Sequence, residues 1–534
     1  MRKVMSTQKK MDIDEPCKND ERVGRLSLYF KTKRGLSIPR LYQYLQKASR
    51  EDVTDTFVSV FHLRDCRGGK GERSLGIRAM QWLFLSYPKQ FMRVARLVPE
   101  YGRWDDLMHL WPRVLNLESA IPSPSAEQQQ QWRDHLNRNF YVNIKSEKAL
   151  KRRQRLQKEI VLLTGDQLKK DRKMMGNSAK VSLCAKWAPT EKDSLDQEYN
   201  TVKELCEAMS IRQAQYRKLY TSPLREYLQI TETLMCRKDW EKIDFNTVPS
   251  RAMKNLKKAF EKHTPETLYE WRSKLSTQET KVNANHVLPH ELICEIVAKG
   301  GADPVCQAQW TSLEEQVEDS GVFSDTLVVV DTSVSMKEWK DNKFSFTPMD
   351  IAIGMGILIS SGVESSVFRN RVISFSNLPM FVEFKSDDIH DRYLALRNSN
   401  WAGKMDLEAT LDLILERAKG ESVDPNDLPQ KLLIISDMDF NKAGGSATNF
   451  RAVDARYKAA GYKRPIIVFW NICVDDGDFS VSSRSDGAML ISGFYPCIVQ
   501  AMLAGDSPDP WSIARGTLDS DRYVEIRSEI SAFE

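Results

Sequence analysis

The spacing of apolar positions changes once along the chain, near residue 325. Before that point apolar residues recur every three or four positions, which predicts amphipathic helices. Ile38-Pro39 followed by Leu41, Leu45 and Ala48 predicts a helix with proline in its first turn. Further helices are expected over 53–63, with Phe57, Val60 and Phe61 on one face, and over 74–86, with Ile77, Met80, Leu83 and Phe84. Others follow at 183–186, 202–209, 216–237, from Ser250, at 288–298 and at 305–318. Short helices joined by short turns suggest stacked helix pairs of the solenoid type, although no clean period is visible.

After residue 325 compact apolar runs alternate with helical stretches. Thr326-Leu327-Val328-Val329-Val330 reads as a strand buried on both faces. A helix follows at 349–360, whose Gly354 and Gly356 suit close packing on a sheet. A hairpin is expected at 371–383, a helix at 407–417 and a strand at 431–437. Then come a helix at 449–460, a strand at 465–471, a short strand near 488–492 and a helix near 495–503. The alternation predicts a doubly wound α/β sheet with one antiparallel strand. The expected division is a disordered tail at 1–22, an all-α region at 23–320 with a basic insertion near 112–180, and an α/β domain at 321–534.

Charge reinforces this division. Residues 321–534 hold 22 Lys and Arg against 31 Asp and Glu, a balance of −9, whereas residues 1–320 carry +14. A polyanion would be attracted to the basic part; lysine-rich helical surfaces that are simply solvated give the same count. No apolar run approaches the ~20 residues of a membrane span. The first ten residues carry charges without a following apolar segment, which argues against a secretory signal. Nine cysteines without a C-x-x-C pair argue for reduced thiols, no disulfide-linked partner and a cytoplasmic or nuclear setting.

Two stretches carry candidate chemistry. Asp331, Ser333 and Ser335 follow the first strand of the α/β part, so a tight loop can turn three side-chain oxygens to one point. Ligands bind at such strand ends, and Mg2+ prefers oxygen donors of this kind. In the helical part, Arg64, Arg67, Lys70 and Arg73 crowd a glycine-rich turn at 64–73. The turn lacks the spacing of a nucleotide-binding P-loop. It reads either as a structural turn, with Arg64 and Arg73 paired to Asp65 and Glu72, or as a phosphate contact for nucleic acid. Arg103, between Tyr101 and Trp104, and the run Lys151-Arg152-Arg153 extend the candidate nucleic-acid surface. A solvated insertion explains the run equally well.

Asp331-x-Ser333-x-Ser335 resembles the first motif of the metal-ion-dependent adhesion site of von Willebrand factor A domains. That resemblance implies that the two serines bind Mg2+ directly and the aspartate acts through water. Asp437, ending its own strand, matches the third motif. Met405 stands where the resemblance expects a threonine, a poor Mg2+ ligand beside Lys404, and Asp406 is a possible substitute. Segments 64–73, 100–107, 216–225, 248–250 and 436–440 together resemble an uncharacterised intracellular family that joins helical repeats to an A-type domain. Its architecture is similar to that of Ro-type (TROVE) ribonucleoproteins. The implied fold is an all-α helical-repeat (HEAT/TROVE-like) region followed by an α/β doubly wound von Willebrand factor A-like domain.

Two functions follow as expectations. One is RNA binding by the helical region, with a degenerate adhesion site on the α/β domain. The other is a protein-interaction scaffold in which a partner's acidic residue completes the coordination of a metal held by Ser333 and Ser335. No catalytic motif is visible, so no enzymatic activity is expected.

Overall fold

The computed structural model describes residues 23–32, 35–113, 147–176, 180–277, 279–280, 282, 287–301, 303–337, 346–374, 376, 378–399, 406–437, 450–472, 481–484, 488–492 and 510–532. The predicted tail at 1–22 and the predicted helix near 495–503 lie outside these residues.

The chain folds as two compact units, each assembled from two stretches. One comprises Met1–Gly35 and Val287–Thr517, the other Leu36–His286 and Leu518–Glu534. The boundaries therefore differ from those expected at 22/23 and 320/321. Redrawn on the units, the charge stays segregated, slightly less so: the helical unit holds 47 Lys and Arg against 35 Asp and Glu, a balance of +12, which leaves −7 for the other.

The first unit is built on a seven-stranded sheet of order β3-β2-β1-β4-β5-β7-β6. Its strands are β1 (Thr326–Val330), β2 (Arg371–Ser374), β3 (Phe381–Glu383), β4 (Lys431–Ser436), β5 (Ile466–Asn471), β6 (Val481–Arg484) and β7 (Ala488–Ser492). β1 is parallel to β2 and β4, with Val329 opposite Ile373 on one side and Ile434 on the other. The predicted hairpin is the antiparallel β2–β3 edge. A second antiparallel strand, β6, closes the other edge beside β7 and was not anticipated.

All five residues of β1 are buried, as are five of the six in β4. Leu327, Val329, Ile373, Leu432, Ile434 and Ile467 form a core with Leu411, Ile414 and Tyr457 from the covering helices. The opposite face carries the helix Pro348–Ser361. A Cβ on Gly356 would overlap Val330 Cγ2, so this glycine lets the helix reach β1. Gly354 serves a different contact, because a Cβ there would meet Ile293 and the Pro289–His290 backbone. This packing explains why helix Pro289–Lys299 belongs to the sheet-bearing unit. Helix Pro304–Ser320 follows it through the partly buried pair Glu314–Arg392, 2.6 Å apart.

The second unit is helical. Helices Ile38–Glu51, Val53–Arg64 and Arg73–Ser86 form where the periodicity placed them. Asp52 caps the second, its side chain accepting from Asp55 N. The region expected as a loose basic insertion instead contains a 28-residue helix, Glu147–Met174. Ile160, Val161, Thr164, Leu168 and Asp171 are buried at helical spacing along it. Gly165 faces Met209 of helix Thr201–Met209. The expected helix at 216–237 is divided: Gln229 adopts φ +50, and a separate helix, Thr231–Arg237, begins after Ile230. Residues 518–534 return to complete this unit through helix Val524–Ser531, which buries Ile526 and Ile530.

Among the described residues, no helix is long and apolar enough to cross a membrane. Six cysteines, Cys66, Cys184, Cys206, Cys236, Cys294 and Cys306, are free thiols.

Candidate functional site

β1 feeds forward to β2 on one flank, while β4 is its neighbour on the other. The strand order therefore reverses between β1 and β4, and the crevice at their carboxyl ends is a switch point of the kind that binds ligands in open α/β sheets. Asp331 is the residue immediately beyond β1, and Asp437 the residue immediately beyond β4. The Asp331 amide donates to Ile435 O at 3.0 Å, so sheet pairing continues into the loop.

The Asp331 side chain is 1% exposed and fixed at both oxygens. Oδ1 accepts from the Ser333 amide at 2.8 Å, and Oδ2 accepts from the Ser436 hydroxyl at 2.8 Å. Ser333 Oγ and Ser335 Oγ lie 3.0 Å apart at the open side of the loop. Burial pushes the Asp331 carboxyl above its ordinary range; hydrogen bonds from Ser333 and Ser436 oppose this, and the nearby Asp437 charge adds to it. Ser436 belongs to this candidate cluster and is one that reading the sequence missed. Its place one residue before Asp437 was visible, but only the β1–β4 register turns it onto Asp331.

These donors suit a small hard cation. Octahedral ligands at Mg2+ distances of about 2.1 Å sit about 3.0 Å apart when adjacent, and the serine oxygens have that separation. A carboxylate raised chiefly by burial, with a second carboxylate nearby, also gains from a positive charge beside it. Ser333 and Ser335 would hold the ion, with Asp331 oriented behind them. Met405 lies outside the described residues. Asp406 caps helix Leu407–Gly420, accepting from Ala409 N at 2.9 Å. That bond occupies Oδ1, so the suggested substitute ligand has a structural task of its own.

Residues 325–520 match the model of a domain of unknown function, DUF7788, and residues 118–323 match that of another, DUF2828. Uncharacterized protein L728 of Acanthamoeba polyphaga mimivirus is 29% identical over 504 residues, covering 89% of this chain and 80% of that protein. The crystal structure of the Deinococcus radiodurans RO (RSR) protein aligns with a TM-score of 0.44 at 10% identity, covering 94% of this chain and all of that one.

The glycine-rich turn at 64–73 buries two of its four cations, Arg64 and Lys70, and leaves Arg67 and Arg73 exposed. Arg64 is 2% exposed and its Nη2 lies 2.7 Å from Asp106 Oδ2. Arg73 reaches Asp105 at 2.6 Å and Asp106 at 3.3 Å. Arg67 donates to Glu100 O, and Lys70 is 6% exposed. The turn is thus a structural brace, with partners from the segment at 104–107 rather than the expected Asp65 and Glu72. Arg64 and Lys70 are too buried to meet a polyanion. Arg103 stacks over Trp187 at 5.3 Å. Lys151, Arg152 and Arg153 lie in the first two turns of helix Glu147–Met174.

Asp65 completes the brace from the other side. Arg522 Nη2 donates to its Oδ1 at 2.8 Å, Nε donates to Oδ2, and the Tyr523 hydroxyl donates to Oδ2 at 3.0 Å. Burial alone would raise this carboxyl, but the Arg522 and backbone hydrogen bonds hold it below its ordinary value. Tyr523 also accepts from His62 Nδ1 at 3.1 Å, which assigns the proton of a neutral imidazole to that nitrogen. Burial, aided by the Lys70 charge, lowers His62 to about 3.

Proposed function

We propose that this is a non-enzymatic binding protein whose sheet-bearing unit, an A-type domain, captures an acidic group of a protein partner through Mg2+. The observation that carries this reading is the pair of hydroxyls, Ser333 and Ser335, set 3.0 Å apart beside a buried, doubly anchored Asp331. A cation on two neutral hydroxyls keeps most of its charge and seeks an anionic ligand, which a partner's Asp or Glu supplies. The test is capture of partners by the full chain in Mg2+, in chelator, and with Ser333→Ala. Binding that ignores both chelator and substitution overturns the reading.

The segregation of charge favours a second reading, RNA binding by the helical unit in the manner of a TROVE-like repeat region. A balance of +12 on that unit against −7 on the other directs a polyanion to the helices. In the turn at 64–73 Arg64 and Lys70 are buried, and the exposed Arg67 and Arg73 are already bonded within the unit, so the turn is a poor contact surface. A salt titration of RNA affinity tests this reading: electrostatic binding weakens steeply between about 50 and 200 mM salt, and indifference to salt counts against it.

A further inference from the structure

Within the helical unit, helices Gln213–Tyr216 and Ser222–Tyr227 are joined without a break by a π-helical turn, Arg217–Thr221. Such turns are uncommon and recur at functional sites. Beside this one lies an open groove of about 620 Å³, lined by Glu191, Gln213, Arg217, Lys218, Ser222 and Glu226. The volume falls in the range of about 300–1,000 Å³ typical of small-ligand clefts.

The charges lining the groove differ in availability. Glu226 is clamped from outside by Arg237, at 3.0 and 3.4 Å, and this bond holds its carboxyl below the ordinary range. Arg217 and Lys218 are exposed, and neither has an ion pair among the described residues. Arg225, on the same helix, donates to Ala185 O and Ala188 O at 2.8 Å and to Thr190 Oγ1 at 3.1 Å. Burial pulls the Arg225 guanidinium below its ordinary value, against the nearby Tyr216 and Asp193, and its bonds turn it away from the groove's other cations to the 185–190 backbone.

The groove is nonetheless poorly suited to a bare anion. The Glu191 carboxylate would repel inorganic phosphate, yet accepts hydrogen bonds from a sugar hydroxyl or an exocyclic amine. Gln213 and Ser222 can donate or accept. We propose that this groove seats a nucleotide of single-stranded RNA, with Arg217 and Lys218 on the phosphodiester and Gln213, Ser222 and Glu191 on the sugar and base edge. The proposal rests on the RNA reading given above and names its contact residues.

The test is fluorescence anisotropy of the full chain with labelled oligouridylate and oligoadenylate, across about 50–200 mM salt. Arg217→Ala with Lys218→Ala should weaken binding about tenfold. It should also lower the salt slope by about 1.4, two single-strand phosphate contacts. Lys257→Ala with Lys258→Ala, on helix Ser250–His263, should change affinity less than about twofold as a control for diffuse charge. Lys218→Glu provides the same loss if the double variant does not fold. Unchanged affinity in the groove variants, with wild-type binding intact, overturns the groove while leaving the RNA reading standing. Failure of the wild-type chain to bind either oligonucleotide overturns both.

Discussion

The Ser436 hydroxyl donates to Asp331 Oδ2 at 2.8 Å, joining the ends of two neighbouring strands that are 105 residues apart in sequence. This bond sets which way the carboxylate faces, and with it the loop that presents Ser333 and Ser335. Ser436→Ala should leave the buried oxygen short of a donor, at a cost of about 1–3 kcal/mol. It should also weaken Mg2+ binding while leaving both serine ligands in place. Isothermal titration with Mg2+ alone measures the second effect; an unchanged affinity would contradict the orienting role of Ser436.

Magnesium should stabilise the sheet-bearing unit. A ligand present at a hundred times its dissociation constant adds about 2.7 kcal/mol to folding, read as a rise in the melting temperature that chelator reverses. Because burial raises the Asp331 carboxyl, the stabilisation should weaken as the pH falls and that group takes up a proton. Ser333→Ala should abolish the shift without unfolding the unit, since its hydroxyl sits at the open side of the loop.

Arg64→Ala should be among the most damaging substitutions in the helical unit. It removes the nearest cation from the fully buried Asp106 carboxylate, leaving only Arg73 at 3.3 Å and the Arg103 amide, and breaking a buried pair outright costs about 3–5 kcal/mol. Arg64→Met together with Asp106→Leu should cost much less, because no charge is left alone. Urea melts of the three proteins decide this. Gly102→Ala should imitate the single loss, since a Cβ there would collide with Asp106 Oδ2.

The helical unit should lose stability on acidification. His62 is lowered in the folded state from 6.5 to about 3. The unfolded chain therefore binds more protons between these values, and stability falls as pH drops through 6.5. By pH 5 the loss from this residue should be about 2 kcal/mol. Asp65, held below its ordinary value, acts in the same direction at lower pH. His62→Gln should flatten the dependence between about pH 7 and 5, measured by denaturant melts at each pH.

Much of the sheet was legible because its signals are local. Thr326–Val330 and Lys431–Ser436 are short apolar runs with β-branched residues, and Asp331-x-Ser333-x-Ser335 follows directly on one of them. What was hidden depends on distant partners. The basic run over 151–173 concealed the apolar stripe of Ile160, Val161, Thr164 and Leu168, whose 3.6-residue spacing was there to be counted. Arg64 and Lys70 looked like a cationic surface because nothing near them in sequence announces Asp106 or the burial of the turn. Asp406 looked like a spare ligand, yet an aspartate just before an apolar-periodic stretch is also a usual way to begin a helix. The docking of Arg522 and Tyr523 on Asp65 spans more than 450 residues, a pairing that no local pattern encodes.

The return of residues 518–534 to the helical unit has a bearing on biosynthesis. The unit starts at Leu36, yet Tyr523, Ile526 and Ile530 are still missing from its interior when the whole sheet-bearing segment has been translated. A nascent chain halted near residue 517 should therefore carry a helical array whose Asp65 lacks its guanidinium and whose apolar seat for the last helix lies open to chaperones. Maturation of the helices that begin at Leu36 waits on the translation of residues 518–534.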